Sequence, residues 1–459
     1  MTGERRFHPF GALHLLRKTI LVYLVPLVQV LFARNWEALR AALVQDAVLF
    51  SILCAVSWVA LHVSGWQLDE AGTLQTRWRF GVRLDRTLRA GQCAALTIER
   101  PLLYRMANAS RVVLYPVGQK RTFTLYLTRQ DAQELADRLM PVQADVRHHP
   151  RGGEKFAFAV LGANSLSTLA LLVLAIRQSQ PYAPDAQTIA FAQLSRLAAW
   201  AARWLPAGAA WLLVLAGVLF CISLGRSFAQ AVHYEVWRSE TQLGSRGGLL
   251  RKYEYRVCRA QLNAVDVRRS PATWALHFCP VFVTAGSCMP ELPLFVWRDG
   301  SPLLQELLPG VALPPAQKAD TARRSLIFFA PAGGPLALCL LLTAVSRYTL
   351  PALTVPLLVP TGLFAALLAA AAVGYQREGI WAGQEHLTLC RQHGFHLHCT
   401  CVFSPLVCLT EQQSPWAVAA GRSNLTLTFP GGEKCRVRSI PQADADACRK
   451  FMEKRSSSL

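Results

Sequence analysis

Two arginine-rich clusters carry the most distinct chemistry in this 459-residue chain. Arg251, Lys252, Arg256, Arg259, Arg268 and Arg269 form one, and Arg77, Arg79, Arg83, Arg86 and Arg89 form the other. Guanidinium and ammonium groups at this density attract anions. Near charged lipid each contributes about 1 kcal/mol, and the attraction fades within a Debye length. Arg251, Lys252, Arg256, Arg268 and Arg269 are therefore the candidate contacts to a membrane surface or a partner. The plainer alternative is a solvated basic face.

Other groups point to less. Cys390, His393, His396, His398, Cys399, Cys401, Cys408 and Cys435 gather near the C-terminus, and soft ligands at that density could hold zinc. No CxxC pair occurs there, and Cys399 and Cys401 alternate about Thr400 as strand residues do. A structural strand is the expectation, with no metal and no cofactor. The thirteen cysteines lack the paired spacing of a disulfide framework. Gly431–Lys434 reads GGEK without the strand–loop–helix context of a phosphate loop. No HExxH, GxSxG or spaced acid pair is present, so no catalytic residue is expected. Aromatic residues are not interleaved with the arginines as a stacking platform, which argues against nucleic acid.

Composition gives these residues their setting. The hydrophobic fraction is 52%, the mean hydropathy +0.25 and the net charge +20. A bilayer span takes about 20 largely apolar residues. Six stretches qualify as candidates: Leu15–Ala33, Ala41–Ser64, Phe156–Ile176, Leu205–Gly225, Ser325–Ser346 and Tyr348–Gly374. Arg5, Arg6, Arg17 and Lys18 precede the first, as in a signal sequence, but no convincing cleavage site follows, and retention is expected. Asp46 lies near the outer end of the second, close to Arg40. No span carries a chain of carboxylates that would couple ions or protons, which argues against a transporter. On the N-terminal side of the spans stand thirteen Lys or Arg residues, against six on the hairpin-loop side. That bias predicts an N-terminus and intervening domains in the cytoplasm of a bacterium.

The chain also repeats itself. Ala95–Tyr115, Leu262–Val283 and Val407–Phe429 each read as strand, turn with proline, irregular stretch, strand. Tyr115–Phe123 and Phe429–Val437 run in register, with Pro116, Gly118 and Lys120 matching Pro430, Gly432 and Lys434. Each unit closes on a helical pattern. The expected order is a cytoplasmic N-terminus (1–14), hairpin 15–64, domain 65–150, hairpin 151–225, domain 226–320, hairpin 321–374 and domain 375–459. The loop 177–204 of the middle hairpin reads as an amphipathic helix in the outer interface, with Asp185 as its N-cap.

Tyr234–Pro271 carries Gly247, Gly248, Leu249 and Leu250 at a turn and strand start, then Gln261, Val265, Val267 and Ser270. This pattern resembles the bacterial pleckstrin-homology-like domain of YdbS/YdbT-type membrane proteins, in the longer, three-unit form. The first unit departs from it, with Pro101 in place of Ser270, and the third keeps little of the motif. The resemblance implies a split β-barrel capped by a C-terminal helix in each unit. The expected fold class is thus α+β, with six transmembrane helices in three hairpins, each followed by such a barrel.

The expected function is a non-enzymatic scaffold of the bacterial cytoplasmic membrane, multi-pass, presenting three domains to protein partners in envelope stress or defence. Another membrane protein, such as a shorter family member, would be the partner, besides membrane lipids. The alternatives are direct engagement of anionic lipid and a transporter component. Oligomeric state is left open.

Overall fold

The computed structural model describes residues 4–11, 36–79, 83–119, 121–162, 184–203, 207–287, 289–314, 324, 326–383, 386–403, 408–430 and 432–456. A short strand, β1 (Arg5–Arg6), and a long helix, Trp36–Val63, lead into three units built in the same order. Unit 1 has β2 (Gly65–Leu68), β3 (Thr73–Trp78), β4 (Leu84–Arg89), β5 (Cys93–Pro101), β6 (Ala109–Pro116), β7 (Phe123–Thr128) and the helix Arg129–Leu139. A connecting strand, β8 (Val146–His148), follows. Unit 2 has β9 (Glu235–Arg238), β10 (Gln242–Gly247), β11 (Arg251–Cys258), β12 (Leu262–Arg269), β13 (Phe278–Ala285), β14 (Leu292–Arg298) and the helix Leu303–Leu307. Unit 3 has β15 (Gly379–Ala382), β16 (Leu387–His393), β17 (His396–Val402), β18 (Cys408–Gln412), β19 (Arg422–Thr428), β20 (Lys434–Pro441) and the helix Gln442–Ser456.

Local chemistry explains the repeat. Where the sequence suggests an irregular stretch after each fourth strand, a short helix forms: Leu102–Met106, Pro271–Leu276 and Pro415–Ala419. In unit 2 the Ser270 hydroxyl accepts from Thr273 N at 3.3 Å, Thr273 Oγ1 accepts from Ser270 N at 2.7 Å, and Pro271 opens the helix. Ser414 accepts from Ala417 N at 3.3 Å, again with a proline next. Pro101 lacks that hydroxyl, and the unit 1 helix starts without a side-chain cap.

The units do not close on themselves. β11 of unit 2 pairs with β5 of unit 1, giving the sheet β7-β6-β5-β11-β10-β9-β8. β17 of unit 3 pairs with β12 of unit 2, giving β14-β13-β12-β17-β16-β15. Sheets β1-β2-β3-β4 and β18-β19-β20 terminate the array. One apolar core follows this continuity from Ala95 and Tyr115 through Val265 and Phe295 to Cys399 and Cys401. Two smaller cores lie in unit 1 and in unit 3, the latter joined by Ala264 of unit 2.

The membrane architecture corrects the expectation of six transmembrane helices in three hairpins. Among the described residues three helical segments are long and apolar enough to cross a bilayer: Val214–Ala231, Ala330–Thr349 and Leu357–Arg377. The expected span Ala41–Ser64 lies almost wholly in the helix Trp36–Val63, of which the described part Ala47–Val63 is a shorter apolar segment. Of the expected span Phe156–Ile176 only the part to Gly162 is described, in the helix Gly152–Gly162, and Leu15–Ala33 lies outside the described residues. Ala330–Thr349 and Pro351–Arg377 form an antiparallel hairpin in which Thr343 Oγ1 meets Thr361 Oγ1 at 3.4 Å and Ser346 Oγ meets Thr354 Oγ1 at 3.3 Å. In the region read as an amphipathic outer helix, Pro184–Ala201 packs along Ala207–Ala231. Ala198 and Ala201 are buried there, and Leu197 and Trp200 exposed.

Candidate functional site

A basic pocket lies where units 1 and 2 join, and it is built from strand pairing. The antiparallel register of β5 and β11 places Arg100 opposite Lys252. Like charges facing each other across a ladder repel, which destabilises a pair unless an anion lies between them. Arg129, at the start of the helix Arg129–Leu139, points into the same cavity of about 450 Å³, with Gln133, His233 and Arg246 around it. Arg246 is neutralised by Glu235 at 2.7 Å. Glu254, also in the wall, is held by Arg256. Arg100, Arg129 and Lys252 have no carboxylate partner among the described residues, and Arg100 Nε is buried without a hydrogen-bond acceptor. Burial, then the charges of Arg129 and Arg105, push the Arg100 guanidinium below its ordinary pKa.

Apolar structure borders the pocket. The turn Gly248–Leu249 docks on the end of the helix Ala207–Ala231: Gly248 N donates to the Val232 carbonyl and Leu249 N to that of Ala229, both at 2.8 Å. Arg105 donates to the Leu249 carbonyl at 2.9 Å. Leu102, Leu103 and Met106 on one side, and Leu249 and Leu250 on the other, are exposed. Gly248 holds φ at +94°, and a Cβ there would sit 2.0 Å from the Arg251 carbonyl oxygen. Gly248→Ala is therefore expected to lower the thermal midpoint of the purified protein, at a cost of about 1–3 kcal/mol. An unchanged midpoint would mean that the turn has another accessible form.

The equivalent short helices expose large side chains as well: Trp274 in unit 2, and Trp416 and Val418 in unit 3. Each lies beside an apolar helix. Pro271–Leu276 contacts Gly152–Gly162, and Trp416 lines a cavity with Ala330 and Pro331. A second basic cavity, of about 490 Å³, runs along the hairpin in unit 3, where Arg391, Lys434 and Arg436 meet Leu367 and Ala371.

The sequence-predicted contacts separate sharply. Lys252 is in the pocket. Arg251 crosses the joint to Glu99 at 2.5 Å. Arg256 is buried, bound to Asp137, Glu254 and the Met140 carbonyl. Arg268 binds Asp266 at 2.9 Å, contacts Glu291 and stacks 3.7 Å from the Phe282 ring centroid. Arg269 pairs with Asp299 at 3.2 Å. Three of these five thus serve structural ion pairs, and a fourth bridges the joint. In the other cluster Arg77 and Arg79 approach Glu4, and Arg86 lies over Phe123. Arg100 and Arg129 carry no local sequence signal, since only the β5–β11 register brings them to Lys252.

In the Cys/His region Cys390 faces Cys399 across β16 and β17, with sulfurs 3.6 Å apart. His398 contacts Asp266. Among the described residues no group of three or more His, Cys, Asp or Glu is arranged to hold a metal ion.

Comparisons of the chain with protein-family models, with curated proteins and with solved structures find no match.

Proposed function

We propose that this chain is an integral membrane protein that binds the phosphate-bearing headgroup of anionic phospholipid in the pocket between units 1 and 2. The observation that carries the reading is the facing of Arg100 and Lys252, with Arg129 beside them and no carboxylate to balance the three among the described residues. The pocket adjoins the end of an apolar helix, so a headgroup could enter while its acyl chains stay in lipid. The exposed Leu102, Leu103 and Met106 and the two tryptophans suit the interface, where apolar and amphipathic side chains settle.

On this reading the protein is multi-pass, binds rather than catalyses, and sits in the bacterial cytoplasmic membrane. The three units share one side. A hydrogen-bonded sheet cannot continue across a bilayer in the open, and sheets join unit 1 to unit 2 and unit 2 to unit 3. The resemblance to YdbS/YdbT-type proteins belongs to the same proposal.

The test is native mass spectrometry of the detergent-purified protein with anionic or zwitterionic phospholipid. Wild type is expected to retain the anionic lipid selectively. The variant Arg100→Ala/Arg129→Ala/Lys252→Ala is expected to weaken that retention by at least tenfold, at about 1 kcal/mol per charge. Equal retention by wild type and variant would refute the pocket. Inorganic phosphate serves as the soluble arm: full competition by millimolar phosphate would assign the site to a free phosphate rather than to lipid. The reading of the sequence as a scaffold for protein partners draws support from a different feature, the strand edges at the ends of the array that have no partner strand among the described residues.

A further inference from the structure

We infer that copies of this chain assemble head to tail, β18 of one copy pairing with β4 of the next. The argument is independent of the lipid pocket and rests on how the units are already joined. At each internal joint the third strand of one unit pairs antiparallel with the fourth strand of the unit before it: β11 with β5, and β17 with β12. Applied along the chain, the rule leaves two strands without a partner. β4 is the third strand of unit 1 and pairs with β3 alone among the described residues. β18 is the fourth strand of unit 3 and pairs with β19 alone among them. They are the two halves of one further joint.

Burial separates the used edges from the free ones. β5 and β12 are buried over most of their length at the joints, whereas their counterpart β18 is half-buried to exposed throughout. β4 exposes Leu84, Asp85, Thr87 and Arg89. No proline interrupts either strand, so both retain the donors that a ladder needs. A third strand and a fourth strand are different surfaces, so the contact is heterologous and propagates rather than closing as a two-fold pair. Units held on one side of the membrane would allow a row of copies in its plane.

The internal register makes the inference specific. Ser270 and Ser414, the matching caps, align Asp266 with Thr410. The short turns Ala90–Gln92 and Arg259–Gln261 align Arg86 with Tyr255, and Thr97 with Asp266. Since Tyr255 faces Thr97, Thr410 of one copy should face Arg86 of the next. Opposed residues in an antiparallel pair bring their Cα atoms within about 4.5–5.5 Å, inside the range that a disulfide spans.

The test uses the full chain in membranes, in a Cys408→Ser background. Co-expressed Arg86→Cys and Thr410→Cys chains, mildly oxidised, are expected to give a dimer that neither variant gives alone. The double variant is expected to give a ladder of multiples. A second measurement does not depend on register: Thr410→Pro, which places a proline in the middle of β18, is expected to reduce wild-type multimers in nanodiscs to single copies. Single copies already in wild type, or crosslinking of the Arg86→Cys chain only to a different protein, would overturn the inference. A double variant that becomes only internally linked, with no gain in mass, would overturn it too.

Discussion

Arg256→Met is expected to destabilise the protein by about 3–5 kcal/mol, although it replaces one long side chain by another. Arg256 is 2% exposed and works at the joint of two units. Its Nη1 lies 2.8 Å from Asp137 and donates to the Met140 carbonyl at 2.7 Å, both in unit 1, while its Nη2 lies 2.6 Å from Glu254 on its own strand. Methionine fills much of the volume but donates nothing. Glu254 and the Met140 carbonyl would then stay desolvated and unpaired, and removing one partner from such a group costs more than the pair contributes. Arg256→Lys is expected to recover only part of the loss, because an ammonium cannot span three acceptors with the geometry of a guanidinium. Thermal unfolding of the purified protein measures both. A methionine variant within about 1 kcal/mol of wild type would mean that the joint relaxes and rehydrates.

The second large effect falls at the other joint. Asp266 of unit 2 receives the Thr400 hydroxyl at 3.0 Å and meets His398 Nδ1 at 2.8 Å, both from unit 3, and Arg268 Nε at 2.9 Å. Asp266→Ala is expected to cost about 3–5 kcal/mol, since it leaves three buried or half-buried donors without an acceptor. The pH dependence has a definite sign. Burial by itself would raise the Asp266 pKa, but the hydrogen bond and charge of His398, then those of Arg268, outweigh it and hold the carboxyl below its ordinary value. A depressed carboxylate contributes stability that is present above its unfolded pKa, about 3.9, and lost as pH falls through the lower folded value. Asp266→Asn should therefore be less stable than wild type at neutral pH, and the gap should narrow below about pH 4. Glu291, which also contacts Arg268, is present in both proteins, so the difference between wild type and the Asn variant isolates Asp266. A gap that stays constant from about pH 7 to about pH 3 would contradict this account.

These joints also mark what the sequence could reveal. The three-fold order of strands, the closing helices and the turn at Gly247–Leu250 are legible because each rests on residues close in the chain. Lys252 is legible as a member of a basic cluster. Its separation from Arg256 and Arg268 is not, because composition counts charges without saying which are already paired. Asp137 lies far from Arg256 in sequence, and Glu99 far from Arg251. Arg100 reads as an unremarked residue before a proline until the β5–β11 register sets it against Lys252. The sharing of sheets between units is equally hidden, since an edge strand and a joined strand have similar composition.

The central claim is that a lipid headgroup occupies the pocket between units 1 and 2. It is tested most directly with an anionic phospholipid carrying a photoreactive diazirine in its headgroup. The protein is reconstituted with this lipid, irradiated, and mapped for adducts by mass spectrometry. The account predicts adducts concentrated at Gly247–Lys252 and at Arg129–Gln133, lost when Arg100, Arg129 and Lys252 are replaced by alanine. Adducts spread along the apolar helices and unaffected by those replacements would contradict it.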